Sequence, residues 1–252
     1  MTPVVASVGT THPLHVAGLG LTVRIAERLG VRAVSVVAGV SAQDAGGVHA
    51  RTPLQESAIV AQFAALAGAD VRAIHVGALL DAAAVTAVAR GLAMFPGVPV
   101  VCDPVIAAST GERLADDVTV AALRDVLFAL CSLITPNLHE AALLLGAAPA
   151  DAGTQERTAR DLLASGARAV LLTGGHLAGV PGDVLVSAEG VTRFAAPRIA
   201  ATLRGTGDLL AFAIAARLAC GAALHPAIDA ARMFVRDEIV HGVELAGMRT
   251  AR

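Results

Sequence analysis

Gly205-Thr206-Gly207-Asp208, followed at once by the apolar run Leu209 to Leu218, is the stretch from which the rest of the chain can be read. Two glycines let backbone amides converge on one point, and the start of the next helix adds its positive dipole end. Together they make a place for an anion such as a transferring phosphoryl group. A carboxylate at Asp208 can take the proton of a substrate hydroxyl while the amides hold the charge that develops on phosphate. The same tetrapeptide also serves as an ordinary strand-to-helix turn, with Asp208 acting only as a helix cap.

Working outward, strand-like and helix-like segments alternate. Val4 to Val8, Ala33 to Val40, Ala73 to Val76, Val98 to Cys102, Leu133 to Thr135, Ala169 to Leu172 and Val184 to Ser187 are short apolar or β-branched runs, suited to a sheet covered on both faces. Between them, Leu19 to Leu29, Pro53 to Ala67, Ala82 to Met94, Val118 to Leu130, Leu138 to Leu145 and Thr154 to Ser165 read as surface helices. Gly30, Gly146 and Gly166 are placed as their C-terminal caps. Two last helices, Leu209 to Cys220 and Pro226 to Val243, follow without a clear strand between them. The pattern predicts a doubly wound α/β fold with a mostly parallel sheet, and residues 1–252 read as a single domain.

The chain has 252 residues, is 55% hydrophobic and carries a net charge of −2, with no lysine among its basic residues. No basic tract suggests nucleic acid or an anionic membrane, and a small metabolite is the better partner. The three cysteines, Cys102, Cys131 and Cys220, lie apart in apolar stretches and are expected to be buried reduced thiols, in keeping with a cytoplasmic protein. The longest apolar stretch, Leu209 to Leu224, is broken by Arg217, so a soluble protein is expected.

In a sheet of this kind, ligands gather beyond the carboxyl ends of the strands. The strand exits carry Asp103-Pro104 with the Gly111 loop, Pro136-Asn137 with Glu140, and Thr173-Gly174-Gly175-His176. Carboxylates, an amide and glycine turns around one crevice suit a nucleotide, a divalent cation and an acceptor hydroxyl. Asp103 also reads as a turn before Pro104, and Glu140 as a solvated first-turn carboxylate. His12, His15 and His176 lack a second pair at ligand spacing and are not read as a metal site; His12 or His15 contacting substrate and a structural role both stay open. Gly18-Leu19-Gly20 is not a dinucleotide fingerprint, since position 23 is valine and no acid follows at the required distance.

Taken together, Val101 to Ile106 with Gly111, Ile134 to Ala141, Thr173 to His176 with Asp183-Val184-Leu185, Arg198-Ile199 leading into Gly205-Thr206-Gly207, and Leu29-Gly30-Val31 followed by Val40 to Gln43 resemble the hydroxymethylpyrimidine and phosphomethylpyrimidine kinases of thiamine biosynthesis, in the ribokinase superfamily. The resemblance implies a three-layer ribokinase-like αβα fold and an ATP- and Mg²⁺-dependent kinase acting on 4-amino-5-hydroxymethyl-2-methylpyrimidine, with one phosphorylation or a second on the monophosphate both open; a homodimer is expected. It places the anion hole at Gly205, Thr206 and Gly207 with Asp208 as catalytic base. Substrate would lie against Gly9, Thr11, Gln43, Ala78 and Val105. Nucleotide would lie near Asn137, Thr173, Gly174, Gly175, Asp183 and Arg204, and Mg²⁺ near Asp103 and Glu140.

The departures matter too. The family's Gly-Ser-Asp-x-Ser-Gly-Gly-Ala-Gly loop is here Gly9 to Gly18, without its aspartate and glycine pair. The family's methionine is Ala78, two of its lysines are Ser109 and Thr173, and its cysteine after Gly-Thr-Gly is Asp208, as in pyridoxal kinases. Arg204 is the nearest cation left to meet phosphate. Pyridoxal or pyridoxine kinase activity, or a non-catalytic paralogue that senses a ligand, are the alternatives.

Overall fold

The computed structural model describes residues 1–175 and 182–252. β1 (Val4–Thr11) leads to α1 (Gly18–Ile25), β2 (Arg32–Asp44) and β3 (Gly47–Pro53). Then come α2 (Glu56–Ala65), β4 (Val71–Val76), α3 (Ala82–Leu92), β5 (Val100–Cys102), α4 (Asp117–Ala122) and β6 (Leu133–Ile134). The chain continues through α5 (Leu138–Leu145), α6 (Gln155–Leu163), β7 (Ala169–Leu172), β8 (Gly182–Ser187) and β9 (Gly190–Ala195). It closes with α7 (Thr206–Ala219), α8 (Leu224–His241), β10 (Val243–Leu245) and β11 (Met248–Thr250).

Nine strands form one sheet in the order β3-β2-β1-β4-β5-β6-β7-β8-β9, and β10 pairs with β11 as a separate hairpin. The pairs from β2 through β7 are all parallel, whereas β3, β8 and β9 join antiparallel at the two edges. Since β2 lies on one side of β1 and β4 on the other, the winding direction reverses beside β1, which opens a crevice at that sheet edge.

Side-chain alternation divides the core into two layers. In β7, Ala169 and Leu171 join a cluster built around Leu21 of α1, Leu209 to Ala216 of α7 and Ala227 of α8. Val170 and Leu172 point to the opposite cluster, which contains Phe63, Val85, Leu123 and Leu144. Because both faces are covered, the central strands read as continuous apolar runs. α7 is buried from Asp208 through Ala216, and this fixes its N-terminus over the middle of the sheet. No helix among the described residues is long and apolar enough to cross a membrane.

Several sequence expectations need correction. Pro53 ends the edge strand β3, so the helix expected from Pro53 starts only at Glu56. The helix expected over Val118 to Leu130 begins one residue earlier, behind the Asp116 cap, and loosens into a π turn at Leu123–Leu127 and a tight turn at Phe128–Leu130. This turn buries Leu123, Leu127 and Phe128 together. Val98 and Pro99 precede β5 rather than belonging to it. Cys102 and Cys131 are buried, but Cys220 is exposed, because it lies at the C-cap where α7 emerges from the core.

Candidate active site

Gly205 holds a left-handed φ of 73° at the head of α7, and a Cβ there would stand 2.6 Å from the carbonyl oxygen of Val16. Only glycine fits the turn. The first i→i−4 bond of α7 runs from Leu209 N–H to Gly205 O at 2.9 Å, so the amides of Thr206, Gly207 and Asp208 lie ahead of the ladder with no helical acceptor. A Cβ on Gly207 would lie 2.5 Å from Asp103 Oδ2, which places the Asp103 carboxylate directly against the Gly207 Cα.

Asp208 does not bond to the amides of its own helix. Its Oδ2 accepts the Gly18 N–H at the start of α1 at 2.9 Å, so the side chain bridges two helix N-termini. Its Oδ1 is buried without a hydrogen-bond partner among the described residues. Burial raises the Asp208 pKa, while the Gly18 amide pulls it back. Asp103 and Glu140 complete a group of three buried acids. Burial, followed by the charges of Glu140 and Asp208, holds Asp103 well above the usual carboxylate range. Burial lifts Glu140 to about 7, against the amides of Asn137 and Ile106 that favour its anion. Glu140 is thus no solvated carboxylate: it closes a capping box, accepting Asn137 N–H at 2.9 Å while Asn137 Oδ1 accepts Glu140 N–H at 2.9 Å.

Beyond β6 and β7 the chain draws together the residues that the sequence assigned to the nucleotide. Thr173 N–H donates to Pro136 O at 2.9 Å, which sets Asn137 beside Thr173 in a parallel bridge. Gly174 N–H donates to Asp183 Oδ1 at 3.0 Å, and Arg232 Nε donates to Asp183 Oδ2 at 2.7 Å. Asp183 is therefore spent on shaping the Thr173–Gly175 turn. Gly175 O accepts from Arg198 at 3.0 Å, and His176 lies outside the described residues.

The residues that the sequence assigned to the acceptor lie elsewhere. Gly9 backs onto Ala78, and Ala78 packs with Leu80, Leu114, Val105 and Val48 in a small apolar cluster. Thr11 ends β1 opposite Val40. Gln43 shares a narrow cleft with Ser109, Thr110, Met248 and Arg204, and the Arg204 guanidinium donates to Ser109 Oγ. Arg204 accordingly sits with Gln43. His12 is buried, with Nε2 3.1 Å from Ala17 O, so it ties down its own loop, while the His15 ring packs over Gly20. Among the described residues, no three His, Cys, Asp or Glu side chains converge as a direct metal cage would require.

Sequence reasoning passed over four residues. Arg232 supports the Asp183 turn, and Ser7, Thr22 and His75 form a buried polar run beneath Asp208. The visible signal was a polar residue inside an otherwise apolar strand, at Ser7 in β1 and His75 in β4.

Comparison with known proteins matches the chain over nearly its whole length. The family model for phosphomethylpyrimidine kinase matches residues 16–250. A hydroxymethylpyrimidine/phosphomethylpyrimidine kinase of Rhizobium meliloti is 35% identical over 243 residues, covering 95% of this chain and 91% of the relative. Among solved structures, Bacillus subtilis pyridoxal kinase in an ADP complex superposes with a TM-score of 0.92 at 25% identity, covering 100% of this chain and 97% of that one. Phosphomethylpyrimidine kinase from Clostridium difficile 630 gives 0.83 at 23% identity, covering 93% and 98%, and shares the fold.

Proposed function

The chain belongs to the phosphomethylpyrimidine kinase family, and from that premise we propose that it transfers the γ-phosphoryl group of ATP to the hydroxymethyl oxygen of 4-amino-5-hydroxymethyl-2-methylpyrimidine and then to the resulting monophosphate. The observation that carries the reading is Asp208: one oxygen is held by Gly18 N–H, the other has no partner among the described residues, and both lie at the mouth of a glycine-built helix terminus. In this reading Asp208 accepts the hydroxyl proton, and the amides of Thr206 to Asp208 stabilise the charge spreading over the transferring group. The apolar cluster of Ala78 and Val105 seats the ring, Thr11 and Gly9 border it, and Gln43 offers an amide for its edge. Arg204, in the same cleft as Gln43, supplies the cation that a monophosphate acceptor needs.

Asn137, Thr173, Gly174 and Gly175 border the nucleotide, with Asp183 shaping their turn. Three buried acids beside a polyphosphate call for added positive charge, and oxygen ligands suit Mg²⁺, which keeps several of its waters. Asp103 and Glu140 would hold the ion through such waters. When bound, the ion neutralises phosphate charge. The reading also takes residues 1–252 as one kinase domain acting in the cytoplasm as a homodimer, for which exposed Val23, Met233 and Val240 supply apolar surface. Light scattering of the purified protein tests the dimer.

Pyridoxal kinase activity is the second reading, favoured by the B. subtilis superposition and by an aspartate at 208. An ATP-consumption assay across the aminopyrimidine, its monophosphate, pyridoxal, pyridoxine and ribose decides. The pyrimidine should give the highest kcat/KM. A pyridoxal or pyridoxine lead of more than about tenfold, near 1.4 kcal/mol of transition-state preference, overturns the first reading. Ligand binding with no turnover on any acceptor would indicate a sensor.

A further inference from the structure

Beneath Asp208, three polar side chains from three elements meet inside an apolar layer. Thr22 Oγ1 of α1 lies 2.9 Å from Ser7 Oγ of β1, which lies 3.0 Å from His75 Nδ1 of β4. Ser7 and Thr22 are fully buried and His75 is 1% exposed. The edge of the His75 ring meets Phe212 of α7, with centroids 5.8 Å apart, so the imidazole is fixed in orientation. Nothing in the family-level chemistry described above uses this run.

The far side of the ring is the informative one. His75 Nε2 is buried without a partner among the described residues, and so is Asp208 Oδ1. Both atoms face the bare Cα of Gly77: a Cβ built there would stand 3.0 Å from Asp208 Oδ1 and 3.9 Å from His75 Nε2. Buried polar atoms are rarely left unpaired, and a water with two or more polar neighbours is the usual remedy. Desolvation lowers the His75 pKa to about 3, so the ring is neutral and can either donate to or accept from such a water.

We propose that His75 is a positioning residue for Asp208, acting through a water molecule bound between His75 Nε2 and Asp208 Oδ1 beside Gly77. The inference rests on Asp208 being the base. Whichever tautomer the ring adopts, the water donates one hydrogen to Oδ1, while Gly18 N–H holds Oδ2 at 2.9 Å. Held at both oxygens, the carboxylate cannot rotate. Each oxygen keeps a second lone pair for the acceptor hydroxyl. Ser7 and Thr22 fix the ring from behind, and Gly77 is needed because a methyl group would crowd the carboxylate.

A high-resolution crystal structure of the wild-type protein should show a water within hydrogen-bond distance of both atoms. His75→Leu should lower kcat about tenfold per folded molecule with the KM for ATP unchanged, and His75→Gln, whose amide reaches the Nε2 position, should restore most of it. Absence of the water, or a His75→Leu enzyme with normal kcat per folded molecule, overturns the proposal. So does a loss that His75→Gln fails to rescue. If Asp208→Asn keeps normal turnover, the base assignment fails instead, and the water in the wild-type structure separates that outcome from failure of the link.

Discussion

Asp183 and Asp208 sit on the same edge of the sheet and are treated in opposite ways. Asp183 receives an amide on one oxygen and the Arg232 guanidinium on the other, the latter at 2.7 Å. Among the described residues, Asp208 receives one amide and no cation, and its second oxygen has no partner. The paired acid is part of the frame; the unpaired one has its pKa raised by burial and is left without a cation among the described residues, at a cost in stability. Asp103 follows the pattern of Asp208.

The comparison breaks first at Asp208. Asp208→Asn preserves shape but removes the proton acceptor, so kcat should fall about 10²- to 10⁴-fold. Its melting temperature should hold or rise, since a buried carboxylate without a cation is lost. Normal turnover would make Asp208 another frame residue.

The converse test is Arg232→Met, which leaves Asp183 without its cation in a site where both side chains are mostly buried. Chemical denaturation should show a loss of about 3 kcal/mol, and adding Asp183→Asn should recover most of it. A loss below about 1 kcal/mol would mean the pair contributes no more than a surface bridge.

A smaller effect is expected at Arg204. The sequence assigned it to the nucleotide, yet it shares its cleft with Gln43. Arg204→Ala should raise the KM for a phosphorylated acceptor about tenfold while barely moving the KM for ATP. The reverse ratio, read from steady-state kinetics, would return Arg204 to the nucleotide side.

The gentlest test follows the pH dependence of Glu140. Its folded pKa, about 7, lies above the ordinary 4.5, so the folded state binds more protons. Its contribution to stability is present in full below pH about 4.5 and is lost as pH rises through about 7. Glu140→Gln keeps the capping reach and removes the titration, so thermal melts between those pH values should show a shallower decline. An unchanged slope would show that Glu140 titrates normally.

The parallel heart of the fold was legible because β1, β4 and β7 are buried on both faces, and their apolar runs admit no other reading. The edges were not. β3, with Gly47, His49, Arg51 and Pro53, has neither period nor burial to mark it, and its pairing to β2 is a tertiary fact. β9 is short and partly exposed, and the β10–β11 hairpin offers only three residues a side. In the site, Gly205 to Asp208, Asp103 and Glu140 were visible as polar punctuation after apolar segments. Arg232 was not, because it acts on Asp183, far away in sequence, and His75 stood out only as a polar residue in an apolar strand whose partners folding brings together.

The emergence of Cys220 at the C-cap of α7 makes that helix a natural reporter. Cys102 and Cys131 are sealed in the core, so a maleimide dye should attach to Cys220 alone while the protein stays folded. α7 spans 14 residues, or ~20 Å, from the glycine turn to that end. A fluorophore there would sit on the same rigid rod as the glycine turn, suited to following nucleotide arrival by energy transfer without altering Gly205 to Asp208.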